Sequence, residues 1–297
     1  MYRNRPRSSK QGVSHMAKRP ITNLEYSDKE RESFFYLTDE MFGIDFRGWY
    51  LDGEWTDRYR CYSLTFYRNI ISNVSMSRMT LVTDGTAREM YQIGTVMTDE
   101  DRQGQGLATR VFKHLFKQHD ADGLPYILAC NEGLETFYEK QGFTVQREPE
   151  LFVSVSGSAP PLEHVDVDAE RWRRFKLESL PYSPRLYTTD DMHIWMFSFY
   201  QGLNEDVYRF DDVHVIYFIE RTRLHLFAVL SPRPVDMRDV VARLSFDGIA
   251  EIVFEFTPDL ADVERRASRA RDGQWMIRMS DGHLFPEGCR FPSLSKA

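Results

Sequence analysis

The residues most suited to chemistry lie between Arg102 and Arg110, which read Arg-Gln-Gly-Gln-Gly-Leu-Ala-Thr-Arg. They follow a strand-like run, Met90 to Thr98, and open an amphipathic stretch whose apolar positions Leu107, Val111 and Leu115 recur at helical spacing. Two glycines in a strand-to-helix turn leave backbone N–H groups uncovered, and the helix dipole adds partial positive charge there. Such a turn takes a phosphate or pyrophosphate.

Two common phosphate signatures do not fit. A Walker loop needs Lys followed by Ser or Thr after its last glycine, where this chain has Leu107-Ala108; a dinucleotide turn needs a third glycine where it has Thr109. Gln103-Gly104-Gln105-Gly106-Leu107-Ala108 instead resembles the Q/R-x-x-G-x-G/A motif of the GNAT superfamily of CoA-dependent N-acetyltransferases. Val96-Met97-Thr98 resembles the end of that family's fourth strand. Asn131 follows the fifth, and Phe137-Tyr138-Glu139-Lys140-Gln141-Gly142-Phe143 resembles its second signature. These blocks stand in the family's order and cover residues 22–155.

The resemblance implies that acetyl-CoA lays its pyrophosphate on Gln103 to Thr109 and its pantetheine arm beside Val96, Met97 and Thr98, with Asn131 as a further contact. It also implies that Tyr138 faces the CoA sulfur and stabilises the departing thiolate. No base is evident; Glu89, at the start of the fourth-strand run and in alternation with Tyr91 and Ile93, is the candidate beside a plain reading as a solvated edge carboxylate. Trp49, Tyr50, Asp52, Glu54 and Trp55 read either as a lining for a cationic amine or as an aromatic core with an acidic rim. The implied activity is transfer of the acetyl group to a primary amine of a small molecule or an amino terminus. The competing reading is a catalytically silent acyl-CoA-binding sensor.

The elements that must position these residues are legible from periodicity. Helix is expected over Lys29–Phe42, then strands over Cys61–Tyr67, Ile70–Val82 and Arg88–Thr98, with turns at Asn69 and Asp84-Gly85. A helix over Gly104–Gln118, a strand over Pro125–Cys130 and a helix over Glu132–Gln141 follow, before extended structure over Phe143–Val155. Beyond Ser154–Pro161, a Ser/Gly/Pro stretch read as a linker, the pattern partly repeats. Strands are expected near 207–209, 213–220 and 224–230, helix over 235–244, a strand over 251–256, helix over 260–270 and a last strand over 275–279. The turn equivalent to the glycine turn is Ser231-Pro232-Arg233-Pro234, whose prolines remove donors. The expected fold is a mixed α/β, GNAT-type twisted sheet flanked by helices, with a second, degenerate GNAT-like α+β unit. The expected partition is a basic tail over 1–19, a catalytic domain over 20–155, a linker over 156–164 and a C-terminal domain over 165–297.

Composition sets the outer limits. With 42% hydrophobic residues over 297 positions the chain can bury a substantial core, and no apolar run approaches the roughly 20 residues of a membrane span. No signal-peptide pattern is present, and three scattered cysteines argue against a disulfide framework, so a cytoplasmic protein is expected. Residues 1–19 hold six basic groups and no acidic one and read as a mobile extension, which leaves the remaining body more acidic than the net charge of −7. An acidic body favours cationic acceptors over nucleic acid. The eight histidines show no metal-ligand spacing, so no metal is expected. A monomer or homodimer, acting without nucleic acid or membrane, completes the expectation.

Overall fold

A computed structural model describes residues 19–268, 274–279 and 284–297. Apart from Arg19, which pairs with Glu25 at 2.6 Å, the basic tail lies outside the described residues. In chain order the elements begin β1 (Ile21–Thr22), α1 (Asp28–Phe42), α2 (Arg47–Leu51), β2 (Tyr59–Phe66), β3 (Asn69–Thr83), β4 (Thr86–Thr98), α3 (Leu107–His119), β5 (Tyr126–Cys130) and α4 (Glu135–Glu139). They continue with β6 (Thr144–Gln146), β7 (Pro149–Ser154), β8 (Glu163–His164), α5 (Ala169–Glu178), β9 (Leu186–Thr189) and α6 (Met192–Tyr200). The last are β10 (Val207–Phe210), β11 (Val213–Glu220), β12 (Arg223–Leu230), α7 (Met237–Leu244), β13 (Glu251–Phe254), β14 (Glu264–Ala267) and β15 (Gln274–Arg278). The fold is mixed α/β with two mixed sheets, as the sequence suggests.

The chain forms two compact units, and β3 and β4 run through both. The first unit takes the chain up to Asp45, Arg60–Ser75 and Thr95–Asp122. It contains the order β1-β2-β3-β4, with Ile21 opposite Ser63 in the antiparallel β1–β2 pair. Its α1 starts at Ser27, whose backbone N–H donates to the Glu30 carboxylate at 3.1 Å in a capping box, and stops at Gly43 in the left-handed region (φ 67°). Its α3 buries Leu107, Val111, Phe112, Leu115 and Phe116, one apolar stripe with Lys113 and Lys117 on the exposed side.

The second unit takes Phe46–Tyr59, Met76–Gly94 and Gly123–Ala297. Here β4 pairs parallel with β5, Tyr91 opposite Tyr126, and β5 pairs antiparallel with β15. The second sheet runs β14-β7-β13-β12-β11-β10-β8, with β12–β13 its parallel pair. Its core gathers Val215, Leu226, Val240, Ile252 and Phe254 from β11, β12, α7 and β13. The antiparallel meander β10-β11-β12, then α7, then a parallel strand repeats the order β2-β3-β4-α3-β5.

Four expectations need correction. The helix after the glycine turn begins at Leu107 rather than Gly104, because Gly104 and Gly106 both sit at left-handed φ (72° and 73°). The helix expected over Glu132–Gln141 shrinks to α4 because Gly133 is also left-handed (φ 85°). The helix expected over 260–270 is in fact strand β14 over its middle, where it adds an edge to β7; Ala270 lies outside the described residues. The turn placed at Asn69 falls on Tyr67 and Arg68, both at positive φ (51° and 65°), while Asp84-Gly85 turns as expected.

Pairing across sequence halves is the feature that periodicity does not show. Strand β15 inserts between β5 and β6, with Trp275, Met276 and Ile277 buried, whereas β7 joins the second sheet against β13. The stretch read as a linker is fastened down: Ala159 N–H donates to the Ser245 carbonyl at 3.0 Å, and a Cβ on Gly157 would stand 2.6 Å from that same oxygen.

Candidate acyl-transfer residues

In the first unit, β4 ends at Thr98, and Asp99 begins a short 3-10 turn by accepting from Asp101 N–H at 3.0 Å. Gln103 folds its side-chain amide back onto the Thr98 carbonyl (3.2 Å). Gly104 and Gly106 then swing the chain into α3. No atom lies within 4 Å of a Cβ built on either glycine, so the glycines serve the left-handed backbone and not close packing within the protein. The first hydrogen bond closing α3 runs from Arg110 N–H to Gly106 O (3.1 Å), so the N–H groups of Leu107 and Ala108 precede the ladder. The first turn carries no acidic residue. Glycines at open positions, donors ahead of the helix and no opposing carboxylate there suit a diphosphate.

The strand feeding this turn is strained at Thr95. Thr95 sits at φ 46°, a conformation that costs a β-branched residue about 1–2 kcal/mol. Fully buried Asn73 braces it, donating from its amide to Thr95 O at 2.9 Å and to Ser75 Oγ at 2.9 Å while accepting from Ser63 Oγ at 2.7 Å. Ser72 Oγ lies 3.2 Å from the Met97 carbonyl and 2.9 Å from Thr98 Oγ1. Val96 and Thr98 are half-buried and Met97 is buried. Sequence reasoning missed this brace. Its signal is the run of serines and one asparagine in the middle of strands that are otherwise apolar.

In the second unit, Tyr138 lies in the short α4, 6% exposed, between Phe137 (5.0 Å) and Phe143 (6.1 Å). Burial, with the nearby Cys130 thiol adding to it, pushes its phenol well above the ordinary tyrosine value. Asn131 is exposed just past β5 and accepts Leu134 N–H at its carbonyl (3.2 Å). It does not cap the following helix, since the residue at that position is Leu134. Glu89 is exposed and holds Arg78 with both oxygens (3.0 and 2.7 Å).

The aromatic and acidic segment is mostly structure. Trp49 is 1% exposed, donates its indole N–H to the His193 carbonyl at 2.8 Å and meets Phe46 and Tyr59 edge-on. Glu54 is buried against Arg173; burial raises its pKa and the guanidinium opposes that rise. Asp52 accepts from the Tyr200 hydroxyl. Tyr50 and Trp55, edge-to-face at 5.8 Å, stay half-exposed. Among the described residues no group of three or more His, Cys, Asp or Glu is placed to hold a metal, and no helix is long and apolar enough to cross a membrane.

Comparison with known proteins bears on the fold and the family of the first half. A family model described as an acetyltransferase (GNAT) domain matches residues 25–146. Among solved structures, the chain is similar to Eis1 from Mycobacterium abscessus (TM-score 0.58, 13% identity), covering 88% of this chain and 73% of that one. A probable N-acyltransferase from Enterococcus faecalis gives a TM-score of 0.54 at 12% identity over 88% of this chain and 72% of its own. A GCN5-related N-acetyltransferase from Anabaena variabilis gives 0.53 at 14%, covering 88% and 73%. At such identities the likeness is one of fold. No curated protein matches the sequence. Residues 25–146 of this chain are a GNAT acetyltransferase domain.

Proposed function

We propose that the protein transfers the acetyl group of acetyl-CoA to a primary amine of a small molecule or an amino terminus. The observation that carries this reading is the turn Gly104–Gly106, open above both glycines and followed by the unladdered N–H groups of α3. Hydrogen bonds to a charged acceptor contribute about 1.5–3 kcal/mol each, so three or four account for micromolar binding after losses. Gln103 to Thr109 hold the diphosphate and the pantetheine arm runs back along Val96–Thr98. A neutral amine attacks the thioester carbon, the carbon–sulfur bond breaks, Tyr138 donates a hydrogen bond to the leaving thiolate, and the nitrogen gives up its extra proton to water. Starting from reference values near 10 and 8.5, full proton transfer from a tyrosine to a thiolate is already uphill by about 2 kcal/mol. Burial of Tyr138 enlarges that gap, so the phenol acts as a donor that keeps its proton.

Glu89 would have to leave a two-point ion pair with Arg78 to act as base, which argues against that role and for an amine that arrives already neutral. The same pairing favours one alternative, an acyl-CoA sensor without turnover. The second sheet reads as a GNAT-like repeat from its strand order, with Ser231-Pro232-Arg233-Pro234 in place of a phosphate turn. Three buried free thiols suit a reducing cytoplasm. Release of CoA thiol across a panel of primary amines tests the assignment. Saturable release supports the transferase, tight acetyl-CoA binding with no release supports the sensor, and no binding refutes both.

A further inference from the structure

Three acidic residues, Asp99, Glu100 and Asp101, stand just ahead of the glycine turn, and Arg102 is the cation between them and Gly104. A guanidinium carries five N–H donors in a fixed plane, and one that is mostly covered normally spends several of them on carboxylates or carbonyls. Arg102 spends almost none. Among the described residues its side chain has one polar contact, an ion pair from Nε to Asp99 Oδ2 at 4.0 Å, longer than a hydrogen bond. That side chain is 26% exposed, and its other hold is on a ring: the guanidinium carbon lies 4.2 Å from the centroid of Phe66.

The ring is a fixed platform. Phe66 ends β2, and Tyr67 and Arg68 turn the chain into β3 at positive φ. That hairpin is pinned to α1. Lys29 Nζ donates to Tyr67 O at 3.1 Å, Arg68 Nε donates to Glu30 Oε1 at 2.8 Å, and Ser33 Oγ accepts Ile70 N–H at 2.8 Å. The backbone under Arg102 is tied as well, with Asp99 N–H on Ile71 O (3.0 Å) and Arg102 N–H on Asp99 O (2.9 Å). All of these residues belong to the first unit, as does the glycine turn. A guanidinium held over a pinned ring, its donors unspent, is preorganised to take an anion beside the diphosphate.

Resting on the acetyl-CoA reading, we propose that Arg102 takes the 3′-phosphate of the cofactor. It thereby makes the protein specific for acyl groups carried on CoA over acyl groups on a carrier-bound 4′-phosphopantetheine. The backbone N–H groups of the turn serve the diphosphate, which leaves a side-chain cation two residues ahead of Gly104 for a second phosphate, joined to the first through one ribose. A phosphate monoester carries about 1.5–2 negative charges at neutral pH and is a strong partner for a guanidinium. Phosphopantetheine on a carrier has neither the ribose nor that monoester, so the same cation gives it nothing. Without Arg102, the segment ahead of the turn offers the monoester only Asp99, Glu100 and Asp101, which repel it.

Calorimetric titration of the full chain with CoA and with 3′-dephospho-CoA, in the wild type and in Arg102→Leu, tests the assignment. Leu keeps an apolar contact on Phe66 and removes only a charge at a partly exposed position, so the fold should hold. The wild type should bind CoA at least about tenfold more tightly than dephospho-CoA, the worth of one charge-assisted hydrogen bond. Arg102→Leu should weaken CoA to the level of dephospho-CoA and leave dephospho-CoA unchanged. Lys113→Ala, which removes an exposed cation further along α3, should keep the whole preference. A wild type that binds both ligands equally overturns the assignment while the acetyl-CoA reading stands. So does equal weakening of both by Arg102→Leu, or loss of the preference in Lys113→Ala. Absence of CoA binding in the wild type overturns the acetyl-CoA reading, and the role of Arg102 with it.

Discussion

Replacing Tyr138 with Phe tests the chemistry most directly. The substitution removes one oxygen and leaves the ring, so its contacts with Phe137 and Phe143 at 5.0 and 6.1 Å persist and folding should change by no more than about 1 kcal/mol. A hydrogen bond from the phenol to a developing thiolate is charge-assisted and contributes about 1.5–3 kcal/mol, equivalent to a loss of about 10- to 150-fold in kcat/KM. Because burial lifts the phenol above its ordinary value, the donor remains protonated through the assay range. The wild-type rate should therefore show no alkaline fall from this residue up to about pH 10, the reference tyrosine value. Acetyl-CoA affinity should hold, since the ring and backbone are unchanged. The assay is thiol release from acetyl-CoA at saturating amine, from pH 6 to 10, beside calorimetric titration of the cofactor. Turnover within twofold of wild type in a folded, acetyl-CoA-binding variant would refute the role. So would an alkaline limb that disappears in the Phe variant.

The other expectations concern the frame around that step. Gly106→Glu places charge and bulk in the open space above a left-handed residue and should abolish acetyl-CoA binding; an unchanged dissociation constant contradicts the phosphate turn. Asn73→Ala leaves the Thr95 carbonyl and the Ser63 hydroxyl without their buried partner and should cost about 2–4 kcal/mol of stability, read as a shift in the urea midpoint, with smaller loss in Asn73→Asp. Burial alone would raise Glu255, but hydrogen bonds and charge from His225 and Arg290 outweigh it and hold the carboxyl at about 2. A depressed folded-state value contributes stability that is present above the unfolded value of about 4.3 and lost as pH falls toward 2. Glu255→Gln should flatten that part of the acid-unfolding curve, and an unchanged slope would contradict the pairing.

The glycine turn and the following apolar stripe were legible as short-range patterns: a left-handed backbone needs glycine, and a 3.6-residue period needs a buried face. Tyr138 carries no such local signal and is a candidate only through the family resemblance. The meander β2-β3-β4 was legible from local pattern as well, from alternation and the Asp84-Gly85 turn. Helix ends were not, since Gly133 stops a run whose composition is otherwise helical.

What only the tertiary structure decided is long-range. Pairing of β15 with β5 depends on contacts between residues more than 140 positions apart, which no local period encodes. The same holds for Gln92 on Ala297, 205 positions on, whereas Asn73 on Thr95 and Arg78 on Glu89 are 22 and 11 positions apart and are chosen by the register between the neighbouring strands β3 and β4. A buried serine or glutamine carries no sign of its partner in the sequence, because its hydrogen bond is chosen by the fold around it.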